Sequence, residues 1–130
     1  MMLNNVKEFI SSLGISENVF VGPIVNKAKE SVGVYNCKQA LPYEEALSGC
    51  EKAEYGIKCM TILVHWNKSF EDTKIESMKL LQMLCVTNDI EINGTMISSF
   101  IPLVETPIDV GTDEEGICET VLEVAVIYKK

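Results

Sequence analysis

The chain has 130 residues, a net charge of −8 at neutral pH and 47% hydrophobic residues, which suits one domain with its own core and excludes disorder. All 11 of its Lys and Arg positions are lysine. With no dense basic run beyond Lys129-Lys130, direct sequence-specific reading of nucleic acid is excluded, because that task needs clustered cations and guanidinium forks. No apolar run approaches the roughly 18 residues that a membrane span requires, and the start Met1-Met2-Leu3-Asn4-Asn5 has neither a basic n-region nor an apolar h-region, so no secretory signal is expected.

Taken in chain order, Leu3, Val6, Ile10 and Leu13 recur at helical steps, with Phe9 widening the stripe. This predicts a short amphipathic helix over 3–13, closed by Gly14. Residues 18–22 read as a brief edge strand limited by Pro23, and Val32 to Asn36 as another strand. Residues 24–52 carry little pattern and are expected to form a mobile or inter-subunit hairpin. Residues 54–66 predict a strand covered on both faces: Ile57, Cys59, Thr61, Leu63 and His65 point one way, and Lys58, Met60, Ile62, Val64 and Trp66 the other.

The main helix is predicted over 70–85. Ser69 caps it, Asp72 completes a variant of the capping box, and Glu71 and Asp72 favour the positive end of the helix dipole. Its buried stripe is read as Ile75, Met78, Leu81, Leu84 and Cys85, widened by Leu80 and Met83. Asn88-Asp89 breaks the helix, two very short strands flank the Asn93-Gly94 turn, and residues 100–104 are extended. A polar loop is expected from Glu105 to Gly116, then a closing strand over about 117–128. The expected fold is a single α+β domain over 1–130: a mixed, largely antiparallel sheet with a short N-terminal helix and the main helix on one face.

Site chemistry is sparse. The five cysteines are odd in number and dispersed. They are expected as free thiols packed as small hydrophobes, as in a reducing compartment. His65, the one histidine, reads as a packed or hydrogen-bonded side chain. The acidic loop of Glu105, Asp109, Asp113, Glu114 and Glu115 lacks the alternating ligands of a calcium-binding loop. No phosphate-binding or nucleophile motif occurs. No catalytic residue, metal site or cofactor is therefore expected, and what remains is surface for protein partners. Phe20, Tyr35, Tyr43 and Trp66 are the candidate interface anchors, with Tyr55 and Phe70 beside them, because interface hot spots favour aromatics. Each is equally a candidate for the core.

The short helix at 3–13, the strand Ile57-Lys58-Cys59-Met60-Thr61-Ile62-Leu63-Val64-His65-Trp66 running into helix 70–85, and the text from Pro107 to Gly116 before the closing strand together resemble the tail-terminator and minor capsid proteins of siphophages. In that group a Gly-x-Asp-x-x-Gly turn precedes the closing strand, matched by Gly111, Asp113 and Gly116. The resemblance implies a structural virion protein, made in the host cytoplasm, that forms a homo-oligomeric, hexameric ring at the head–tail junction. Its implied partners are the tail tube and the head-completion or connector proteins, with no membrane and no catalysis. A small host protein-binding or regulatory domain is the alternative reading, followed by a divalent-ion-dependent enzyme using the acids of 105–119.

Overall fold

The computed structural model describes residues 3–22, 30–37 and 55–129. The expected hairpin at 24–52, including Tyr43 and Cys50, lies mostly outside the described residues, and neither of those two side chains is described. The elements run α1 (Leu3–Ser12), β1 (Asn18–Val21), β2 (Ser31–Asn36), β3 (Tyr55–His65), α2 (Phe70–Cys85), β4 (Asn88–Ile92), β5 (Thr95–Pro102), β6 (Ile108–Thr112) and β7 (Cys118–Lys129). Among the described residues the fold is α+β, with two helices against a large, mixed, largely antiparallel sheet.

The seven-stranded sheet has the order β1-β2-β3-β7-β5-β4, with β6 also on β7. Among the described strands only β1 and β2 are parallel. The centre is the long β3–β7 pair, in register from Tyr55 opposite Lys129 to His65 opposite Glu119. β5 and β6 lie end to end along the other edge of β7: β5 covers Val124 to Tyr128, and β6 covers Cys118 to Val121. At one place a side chain needs a missing Cβ. Gly56 faces Tyr128, and a methyl group there would lie 2.5 Å from the ring's Cζ.

Alternation sorts β3 and β7 into two faces. Met60, Ile62, Val64 and Trp66 join Leu122, Val124 and Val126 in the core, beneath Val6 and Ile10 of α1 and Leu80, Leu81 and Leu84 of α2. The fully buried Leu80 and Leu84 contribute about 1.5–3 kcal/mol each by leaving water. Helix α1 touches β1 and β2 toward one edge of the sheet and β4 at the other, so the sheet curls around it, as its natural twist favours. Phe9 stacks on Phe100 of β5 with ring centroids 5.6 Å apart, and Asn5 Nδ2 donates to Thr95 Oγ1 at 2.9 Å.

Three expectations need correction. The buried stripe of α2 is Thr73, Ser77, Leu80, Leu81 and Leu84, while Ile75 and Cys85 are exposed. The helix turns its small hydroxyls toward the sheet. Thr73 Oγ1 donates to Ser69 O, Ser77 Oγ donates to Thr73 O, and Thr120 of β7 closes a short contact onto Ser77. The capping box is completed differently as well. Ser69 Oγ accepts from Asp72 N, but Ser69 N donates to Asn67 Oδ1, and the Asp72 carboxylate takes Asn67 Nδ2. Finally, the loop expected from Glu105 to Gly116 contains β6.

Candidate interaction surface

The β6–β7 hairpin is built by one carboxylate. Asp113 Oδ1 accepts from Glu115 N at 2.8 Å and from Ile117 N at 2.9 Å, while Asp113 N donates to Ile117 O and Gly116 N to Asp113 O. Gly116 has φ +83°, a left-handed conformation that glycine adopts without a Cβ penalty. Gly111 has φ +101° and sits outside this turn, at a bulge where the β6–β7 register shifts between Asp109 and Gly111. The hairpin is tied to the end of β3, since Trp66 N donates to Cys118 O and Cys118 N to Asn67 O.

Beside the hairpin stands His65, 4% exposed. Its Nδ1 lies 3.1 Å from Glu119 Oε2, its directly opposed neighbour on β7. Nε2 lies 3.5 Å from Asp113 Oδ2 and makes no hydrogen bond. The two acids lie on opposite ring nitrogens and do not converge on one point. Among the described residues no group of three or more His, Cys, Asp or Glu side chains is placed to hold a metal ion. The imidazole acts as a strut between the hairpin turn and the sheet.

Of the aromatic anchors, Trp66 is 6% exposed and belongs to the core. Phe20 and Tyr35 are half-buried on β1 and β2. Burial pushes the Tyr35 phenol up, and Glu119 adds to the effect. Tyr55 and Phe70 are 44% and 50% exposed. Cysteine chemistry also departs from expectation. Cys37 and Cys59 are joined as a disulfide, at a Cα–Cα separation of 5.4 Å, because antiparallel pairing sets Asn36 opposite Met60 and so brings the next residue alongside β3. Cys118 is a buried free thiol, as expected, and Cys85 is an exposed one.

Two further exposed surfaces were not among the predicted anchors. All of β6 is exposed, including Ile108 and Val110, and beyond β7 it pairs with no other strand among the described residues. On the outer side of α2, Lys74, Ile75, Met78, Lys79 and Gln82 line a shallow groove of about 360 Å³. Ile75 was legible as apolar but was assigned to the core. Ile108 and Val110 were hidden among acids and glycines that read as a loop.

Fold and surface together define a class: an α+β protein whose curled sheet holds two helices and leaves a strand edge and a helix face in solvent. The chain has the fold of the bacteriophage SPP1 gp17 protein, with TM-score 0.50 and 15% identity over 95% of this chain and 82% of that one. At this identity the likeness is one of fold. A second solved structure aligns at 9% identity over 97% of this chain and 87% of its own, with TM-score 0.48, too low to carry an argument. No protein-family model and no curated protein matches the sequence. Among the described residues no helix is long and apolar enough to cross a membrane.

Proposed function

We propose that this chain is a single-domain structural protein of a bacteriophage virion, a tail terminator or minor capsid protein that forms a ring at the head–tail junction. The observation that carries the reading is the shared fold with a bacteriophage protein across nearly the whole of this chain. The sequence resemblance, made on the strand–helix unit 57–85 and the Gly111-x-Asp113-x-x-Gly116 text, supports the finer role. The exposed β6 edge and the groove on α2 supply two different surfaces, which a head-to-tail ring requires of each subunit. In this reading the protein works by contact rather than by catalysis, its partners are copies of itself, the tail tube and a head-completion or connector protein, and Gly111, Asp113 and Gly116 shape the hairpin that meets a neighbour.

The test is native mass by size-exclusion chromatography with light scattering over a wide concentration range, with negative-stain microscopy of any large species. A closed ring, or joining of the protein to isolated tails, is the expected result. A chain that stays monomeric at every concentration and never joins isolated tails would remove the ring reading.

A further inference from the structure

We infer that the groove on the outer face of α2 is the seat for the β6–β7 hairpin of a second copy of this chain. The inference rests on the ring reading above and adds to it a specific pair of surfaces. The first support is charge. Lys74 and Lys79 flank Ile75 and Met78 in the groove, and neither lysine has an ion-pair partner among the described residues. The hairpin has the complementary character: Ile108 and Val110 are 45% and 51% exposed, and it carries the exposed acids Asp109, which alternates with them along β6, and Glu115, in the turn that follows. In a chain of net charge −8, an acidic apolar edge has few cationic apolar surfaces to meet, and this groove is one.

The second support is shape. From Lys74 to Gln82 the groove runs about 12 Å at the helical rise of about 1.5 Å per residue. The five residues of β6 span about 13 Å at roughly 3.3 Å per residue. The third is geometry within one chain. The groove lies on the side of α2 that faces away from the sheet to which β6 belongs, so a chain cannot seat its own hairpin. Groove against groove would oppose lysines, and hairpin against hairpin would oppose acids. The contact is therefore heterologous, the type that propagates into a ring when the rotation closes.

Charge reversal tests this. The variants are Lys74→Glu with Lys79→Glu, and Asp109→Lys with Glu115→Lys. All four side chains are exposed, so each double variant should melt close to the wild type. Each variant alone is expected to weaken self-association by about tenfold or more, because like charges then face each other. An equimolar mixture of the two is expected to restore assembly, since each reversed groove then meets a reversed hairpin. Rings that form equally well in the separate variants would overturn this pairing while leaving the ring reading intact, as would weakening that the mixture does not rescue. A wild-type chain that forms no ring under any condition would overturn both.

Discussion

Asp113 does more than its place in an acidic stretch suggests. Its carboxylate holds two backbone N–H groups of the hairpin and faces a buried imidazole. Asp113→Ala is expected to destabilise the fold by about 1–3 kcal/mol, the usual range for removing a charged acceptor from its backbone donors, here the exposed Glu115 N–H and the partly buried Ile117 N–H. Asp113→Asn, which keeps an oxygen in place, should retain most of that stability, and urea unfolding of the two variants separates them. Cys118 gives a pH dependence. Burial pushes its thiol up, and Asp109 adds repulsion. The fold thus prefers the neutral thiol, whose contribution is complete below the unfolded-state value and is lost as pH rises through the folded one. Melting temperature followed into the alkaline range should fall, and Cys118→Ala should make that fall shallower. The pairing of His65 with Glu119 was not legible, because the two lie 54 positions apart in the chain and only the register of β3 against β7 makes them neighbours.

Elements were more legible than their orientations. The bounds of α2 follow from local chemistry: Ser69 caps the start, and the chain breaks before Asn88, where β4 begins. The central strands declared themselves through long apolar alternation. Strand β6 did not, because its acids and Gly111 speak for a loop, and only the ladder to β7 makes it a strand. The rotation of α2 was misread for a related reason. Hydrophobic counting places Ile75 inside, but the position over β7 is taken by small hydroxyls that let the helix approach and are hydrogen-bonded there. Opposite outcomes therefore follow for two aliphatic truncations. Ile75→Ala should change stability by no more than about 0.5 kcal/mol, as exposed substitutions do. Leu84→Ala should lose about 2–5 kcal/mol through lost burial and the cavity it leaves. If chemical denaturation ranked the two the other way, the helix would have to be turned by roughly a quarter to a half of a turn, each residue step being about 100°.

For the molecule as a whole, the curled sheet places stability in contacts between distant parts of the chain, and the Cys37–Cys59 bond adds a covalent one. Cysteine number and spacing gave no sign of it, since an odd count without close pairs is what scattered free thiols look like. What brings the two together is the antiparallel register of β2 on β3, a tertiary fact. The bond closes a loop over a separation of 22 residues, and restricting the unfolded chain to that extent is worth about 3 kcal/mol in the chain-entropy account. Protein purified without reductant and unfolded in urea is expected to titrate two fewer thiols than the same protein after reduction. Its unfolding midpoint should drop when a reductant is added, and Cys37→Ser with Cys59→Ser should abolish the difference between the two conditions. Equal thiol counts before and after reduction would show that the pair is not bonded in solution. The stability of the fold would then rest on the core beneath α1 and α2 alone, and the double serine variant would differ from the wild type only by the packing of two sulfur atoms.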